Sequence, residues 1–81
     1  MSAVEIDEVR CGGRNFLRPG DPCYVRAGGA DRTGFPAKVR RIIVESAGVA
    51  VEVVVCRPHR RAGTVRTIPL DRVRRRRAAA A

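Results

Sequence analysis

Cysteine and histidine side chains are the candidates for metal chemistry in this chain. Cys56 and His59 have C-x₂-H spacing, and Cys11 and Cys23 could complete a Cys₃His set of zinc ligands. Zinc sites of this type usually present two such close pairs, and this chain has one. Cys23 also lies where an alternating strand places a core residue, and cysteine is commonly buried as a small hydrophobe. We therefore expect reduced thiols, no metal and no cofactor.

Catalytic groups are the next candidates, and the sequence provides no set of them. Cys56 and His59 could act as a nucleophile and a base, but no carboxylate is placed to orient the histidine. Asp7 and Glu8 are adjacent acids in a polar stretch, where we expect both carboxylates in solvent. The glycine-rich residues 27–34 lack the lysine and the following helix of a phosphate-binding loop. The sequence therefore predicts a protein that is not an enzyme.

Arginine is the most distinctive residue type of the chain. Lysine and arginine together number 17 against 8 acids, which gives a net charge of +9. Complete pairing with the acids would still leave that excess, and such a surface attracts polyanions. The guanidinium group binds two phosphate oxygens at once. We expect phosphate contacts from three clusters, which contain Arg40, Arg41, Arg57, Arg60, Arg61, Arg74, Arg75, Arg76 and Arg77.

The arginine clusters predict binding to DNA or RNA with little sequence preference, because phosphate contacts carry no base information. Base stacking on single strands needs exposed aromatic side chains, and the chain has only Phe16, Tyr24 and Phe35. We also expect the loop at 57–61 and the chain end after Val73 to form one basic face. The alternative is a protein-interaction module, such as a phage or host adaptor or inhibitor, that docks on an acidic partner.

Length and hydrophobic patterning indicate one all-β domain. Alternation predicts a core that includes Val25, Val39, Ile42, Val51, Val53 and Ile68. The adjacent Arg40 and Arg41 interrupt this alternation and predict a β-bulge. Residues 1–18 are expected to form an N-terminal arm or a first strand. Residues 74–81, four arginines followed by four alanines, are expected to be a disordered basic tail.

A known pattern covers residues 19–73. A first strand reads Gly-Asp-x-apolar-x-apolar from Gly20 to Val25, and a second follows Gly34 with Ala37 and Val39. This order resembles the KOW and Tudor group of SH3-like barrels. The resemblance implies a small SH3-like barrel of about five short strands with a one-turn helix near the C-terminus. It also implies binding to RNA, DNA, methylated peptides or proteins, although an aromatic cage for methylated residues would use every aromatic side chain available.

The N-terminus and the cysteine count bear on the cellular compartment. Three cysteines do not close a disulfide framework, and the first ten residues carry charges where a signal peptide has an apolar stretch. No apolar run reaches the length of a membrane span. We expect a cytoplasmic protein without membrane contact, and a monomer rather than an oligomer. The excess of arginine, alanine, glycine and valine resembles that of proteins from actinobacteria and their phages.

Overall fold

Strands dominate the part of the chain that the structure, a computed structural model, describes: residues 3–29, 31–57 and 59–76. A 3₁₀ turn at Leu70–Arg72 is the one helical element within those ranges. The expectation of an all-β chain with one helical turn near the C-terminus is confirmed. In chain order the strands are β1 (Val4–Ile6), β2 (Val9–Gly12), β3 (Asn15–Leu17), β4 (Pro22–Val25), β5 (Phe35–Glu45), β6 (Gly48–Val55), β7 (Val65–Pro69) and β8 (Val73–Arg75).

The main sheet has the strand order β7-β6-β5-β4-β8, with β1 added beside β5. The long strand β5 pairs through its first half with β4 and through its second half with β1. Its other edge pairs with β6. The expected closed barrel is wrong for the described residues, because β7 and β8 end the strand order and share no ladder. A barrel requires hydrogen bonds across that gap.

The N-terminal residues supply three strands, which is why the described chain has more strands than the expected five. β1 joins the main sheet, whereas β2 and β3 form a separate hairpin. Gly12 ends β2 opposite Asn15, and Gly13 and Arg14 make the turn. The two glycines have φ angles of 132° and 54°, which glycine adopts without a Cβ clash. Cys11 and Leu17 of this hairpin are buried in the main core. The segment is therefore a packed part of the domain and not a loose arm.

One hydrophobic core lies on the inner face of the main sheet and under the hairpin. Partly buried side chains of Ile6, Val9, Val49 and Leu70 pack around its rim. Burial removes apolar surface from water and is the main favourable term in folding. Each residue predicted for the core is buried, so that prediction is confirmed for Val25, Val39, Ile42, Val51, Val53 and Ile68.

The predicted β-bulge lies at the two adjacent arginines. Val39 is paired with Val53, and the next paired residue of β5 is Arg41, which lies opposite Glu52. Two residues of β5 thus oppose one residue of β6, as in a β-bulge. The extra residue leaves Ile42 pointing into the core, and the prediction is confirmed.

The C-terminal end of the domain lies further along the chain than expected. Arg74 and Arg75 belong to β8 and pair with Tyr24 and Cys23 of β4. The ladder and the burial of Val73 fix this strand, although its arginines repel one another. The disordered tail was predicted to begin at residue 74, which is too early because Arg74 and Arg75 belong to β8. The remainder of that prediction, from residue 77 onward, lies outside the described residues.

Candidate nucleic-acid interface

A cleft of about 360 Å³ lies between two loops at one end of the sheet. One loop, residues 26–34, joins β4 to β5, and the other, residues 56–64, joins β6 to β7. The loops meet because β5 begins where its antiparallel neighbour β6 ends. Four arginines and one carboxylate give the cleft a strong positive charge. We call it the basic cleft, and its lining consists of Asp31, Arg32, Thr33, His59, Arg60, Arg61 and Arg66.

The 56–64 loop is a series of tight turns. The His59 N–H donates to the Cys56 carbonyl at 3.2 Å, and the Ala62 N–H donates to the His59 carbonyl at 3.0 Å. The Thr64 N–H and hydroxyl both donate to the Arg61 carbonyl, at 3.1 and 2.7 Å. These bonds satisfy backbone groups locally. They tie residues 59–64 into consecutive turns, and Arg60 and Arg61 lie within this part of the loop.

His59 anchors the same loop to the core. Its ring lies 5.4 Å from the ring of buried Phe35, centroid to centroid, with the planes tilted by 52°. Its Nδ1 accepts a hydrogen bond from the Arg61 N–H at 3.0 Å. In the neutral imidazole the proton then resides on Nε2. The only histidine of the chain therefore acts as a support for Arg61 in this geometry.

Asp31 ties the 26–34 loop to β7 and to the 3₁₀ turn. Its two carboxylate oxygens accept hydrogen bonds from Arg66 at 3.2 and 2.9 Å, and one also accepts from Arg72 at 3.1 Å. Arg72 further donates to the Arg26 carbonyl at 3.2 and 3.0 Å. The hydrogen bonds from Arg66, and next those from Arg72, lower the pKa of Asp31 from its ordinary value. We call this set the Asp31 clip.

Three arginines of the basic cleft keep their charge available. Arg32, Arg60 and Arg61 take part in none of the ion pairs found among the described residues. Arg66, by contrast, is neutralised by Asp31 and lies 5.6 Å from the centre of the Phe35 ring. Arg66 thus belongs to an ion pair within the protein, whereas Arg32, Arg60 and Arg61 remain available to bind a ligand in the cleft.

The predicted pair Arg40 and Arg41 serves a different ion pair. Because the bulge places both residues opposite Glu52, each guanidinium donates to one carboxylate oxygen of Glu52 at 2.7 Å. The Glu52 side chain is only 9% exposed, while those of Arg40 and Arg41 remain 55% and 47% exposed. The hydrogen bond from Arg41 is the main cause that lowers the pKa of Glu52. Neither arginine lines the basic cleft.

Acid should weaken the domain through Glu52. Because its pKa is lower folded than unfolded, its stabilising effect is present at neutral pH and is lost as the pH falls below about 4. We expect Glu52→Gln to unfold at lower urea concentration than wild type at pH 7, and this gap to shrink at pH 3. Urea unfolding followed by circular dichroism measures both. Glu45→Gln, at an exposed end of β5, should unfold like wild type. A difference in urea midpoint between wild type and Glu52→Gln that is equal at both pH values would contradict the prediction.

The remaining predicted arginines are distributed elsewhere. The Arg74 guanidinium donates to the carbonyls of Asp71 and Val73 at 3.2 and 3.0 Å and lines a separate cavity of about 490 Å³. The Arg76 N–H donates to the Pro22 carbonyl beside β4. Arg57 and Arg75 are exposed but do not line the basic cleft. Arg77 lies outside the described residues. Among the predicted arginines that the structure describes, only Arg60 and Arg61 line the cleft.

Sequence reasoning missed the contribution of the first loop. Arg32 and Asp31 lie in the glycine-rich stretch, which was considered only as a phosphate-binding loop with a lysine. The short turn between β5 and β6 implies that they pair antiparallel, and this pairing places both loops at the same end. That topology was the available signal for Arg32. No signal in the sequence indicated that Asp31 would pair with Arg66, 35 residues later.

The cysteines do not form a metal centre among the described residues. Cys11 and Cys23 are buried, Cys56 is half-buried, and none is in a disulfide. No group of three or more His, Cys, Asp or Glu side chains is arranged to hold an ion within those residues. Burial raises the pKa of the Cys23 thiol to about 12, which keeps it protonated near neutral pH. Metal ligation and nucleophilic attack both need the thiolate.

Comparisons with known proteins add no relative. Searches against protein-family models, curated proteins and solved structures found no match.

Within the described residues, no helix has the length and apolar character needed to cross a membrane.

Proposed function

We propose that this protein binds nucleic acid through its phosphates, without catalysis and with little sequence preference, at the basic cleft. The observation that carries the proposal is the meeting of Arg32, Arg60 and Arg61 from two separate loops in one cleft. Guanidinium groups bind phosphate oxygens through paired, charge-assisted hydrogen bonds. A cleft that contains three such groups and one carboxylate already occupied by Arg66 favours a polyanion over a small neutral ligand.

The backbone arrangement supports the same proposal. Both loops are anchored, one by the Asp31 clip and the other by His59 and its turns. Anchored arginines lose less conformational freedom when they bind than arginines on a mobile tail would lose. The net charge of +9 then attracts the strand over longer distance. Arg57, Arg75 and Arg76 are exposed outside the cleft and add to the positive charge of the surface.

We also propose that residues 20–75 are an opened form of an SH3-like domain. In favour of this are the consecutive strand order from β4 to β7 and the return of β8 to the side of β4. The 3₁₀ turn between the last two strands is a further point in favour. This proposal concerns the fold, since domains of one fold carry many functions. The function rests on the basic cleft.

Salt dependence is the sharpest test of phosphate binding. If about four to six phosphates are contacted, log K should fall with log salt at a slope of about −4 to −5 on duplex DNA. Arg60→Gln with Arg61→Gln should reduce the magnitude of that slope by about one to two, equally for unrelated sequences. Fluorescence anisotropy of two labelled duplexes, from about 20 to 200 mM salt, measures the slopes.

A matched control separates the cleft from net charge. Arg10→Gln with Arg14→Gln removes the same two charges from the β2–β3 hairpin, and neither residue lines the basic cleft. This variant should retain the wild-type slope to within about half a unit. Equal losses in the two double variants would reject the cleft as the site. If wild type binds no DNA or RNA even at low salt, the proposed function is wrong and docking on an acidic protein becomes the leading alternative.

A further inference from the structure

Tyr24 is an aromatic side chain displayed on the outer face of the sheet. It is 42% exposed, whereas its strand neighbours Cys23 and Val25 are fully buried on the other face. The register of β4 places Pro36 of β5 on one side of Tyr24 and Arg74 of β8 on the other. A large aromatic side chain in such a position is not needed to fill the core. Part of its side chain is therefore accessible to a ligand.

Gly34 leaves room for the tip of the Tyr24 ring. A Cβ atom at Gly34 would lie 2.5 Å from Tyr24 Cε2 and 2.6 Å from the hydroxyl oxygen, and 2.7 Å from the Val25 carbonyl oxygen. These distances are shorter than ordinary van der Waals contacts, so a larger residue at this position would displace the ring. The Cε2 edge and the hydroxyl group thus pack beside the backbone at Gly34, while 42% of the residue stays exposed to solvent. The side chain is therefore packed at its tip and accessible elsewhere.

The Tyr24 ring lies beside the loop that lines the basic cleft. Gly34, next to the tip of the ring, directly follows Thr33 and Arg32, which line the cleft. Consecutive Cα atoms are about 3.8 Å apart, so the ring support and the cleft wall are neighbouring parts of one loop. Lys38 is exposed on the same face of β5, two residues beyond the Pro36 position that faces Tyr24. A cation thus also lies on the outer face beyond the ring.

We propose that Tyr24 stacks on an unpaired base of a single-stranded nucleic acid whose phosphates bind in the basic cleft. The proposal rests on the proposed function and specifies its substrate class. Every base has a π-face, so stacking on a tyrosine adds affinity without requiring a particular sequence. The bases of a duplex are already stacked on one another and do not offer that face. Single strands should therefore bind more tightly than phosphate contacts alone provide.

The composition of the chain makes this contact directly observable. Tyr24 is the only tyrosine, and the chain has no tryptophan. Tyrosine fluorescence therefore reports on this ring alone. We expect an oligothymidine of about twelve residues to quench it, because bases stack on the ring. An abasic deoxyribose-phosphate oligomer of the same length carries the same charge and should leave the emission largely unchanged.

Affinity measurements provide the second test. Tyr24→Leu should weaken binding to the oligothymidine by about five- to hundredfold, while Tyr24→Phe should remain within about twofold of wild type. The salt slope and the affinity for duplex DNA should be unchanged in both variants, because neither removes a charge. Anisotropy of labelled oligomers measures these affinities, and circular dichroism confirms that each variant is folded. The exposed position of Tyr24 makes unfolding an unexpected outcome.

The outcomes separate this inference from the function on which it rests. Equal affinity for the base-bearing and abasic oligomers, with unchanged fluorescence and no effect of Tyr24→Leu, overturns the stacking proposal and leaves phosphate binding in place. A failure of wild type to bind any of the oligomers at low salt overturns both. Quenching by oligothymidine that is lost with the abasic oligomer supports both.

Discussion

Replacing Val53 with aspartate is expected to abolish folding. Val53 is fully buried in the middle of β6, where it pairs with Val39 of β5 on one side and Arg66 of β7 on the other. An aspartate there would place an ionised carboxylate in the hydrophobic core, or the carboxyl group would have to be protonated. Either state costs a large amount of folding free energy. A domain of this size has a total stability of about 4–12 kcal/mol. A buried carboxylate without partners is enough to remove most or all of it.

The neighbouring strand offers a control of the same chemistry. Val65 of β7 is 48% exposed, so Val65→Asp introduces the same carboxylate into a strand but leaves it in water. We expect Val65→Asp to retain the wild-type circular dichroism spectrum and a cooperative urea transition. Val53→Asp should show neither. A folded Val53→Asp protein with a wild-type transition would mean that β6 does not occupy the centre of the core.

Removing the carboxylate of Asp31 should produce the second largest effect. Asp31→Ala deletes three charge-assisted hydrogen bonds and leaves Arg66 and Arg72 facing each other without an anion. The Asp31 side chain is 16% exposed, and those of Arg66 and Arg72 are 29% and 21% exposed. We expect a loss of about 2–3 kcal/mol, somewhat below the cost of breaking a fully buried pair, because water still reaches both guanidinium groups.

Urea unfolding at neutral pH measures this loss, and an exposed pair provides the comparison. Glu8 and Arg18 form an ion pair whose side chains are 40% and 68% exposed, so Glu8→Gln should cost less than about 0.5 kcal/mol. The pKa of Asp31 is lowered by folding, so its contribution is present above about pH 4 and is lost below it. The gap between wild type and Asp31→Ala should therefore narrow at pH 3. Similar losses of unfolding free energy in Asp31→Ala and Glu8→Gln would contradict a stabilising role for the Asp31 clip.

The core and the bulge were predictable because both depend on local alternation. A period of two placed Val39 and Val53 inward, and the pair Arg40–Arg41 broke that period at one point. The hairpin at the N-terminus was not predicted, because its strands have only four and three residues, too few to show a clear alternation of apolar and polar side chains. Closure into a barrel was expected from the number of short strands and from the resemblance, and neither determines whether the edges of β7 and β8 meet.

The site was predictable only in part, because its geometry depends on contacts far apart in sequence. The charge of Arg60 and Arg61 was evident, but their proximity to Arg32 follows from the pairing of β5 with β6. Alternation places Glu52 on the outer face, but its ion pairs with both arginines depend on the register between β5 and β6. Gly34 and Tyr24 are ten positions apart, so their contact does not follow from local sequence. Composition alone indicated too few aromatic side chains for stacking.

The bulge at Arg40 and Arg41 also bears on how insertions are accommodated in this fold. Without one of these residues, Val39, the remaining arginine and Ile42 would alternate regularly and could face Val53, Glu52 and Val51 in an unbroken ladder. The core therefore does not require the additional residue. Its contribution is curvature, since β5 turns at this point from β4 to β1 along one edge. Chain length at this position thus sets the shape of the sheet, while side-chain identity sets its interior.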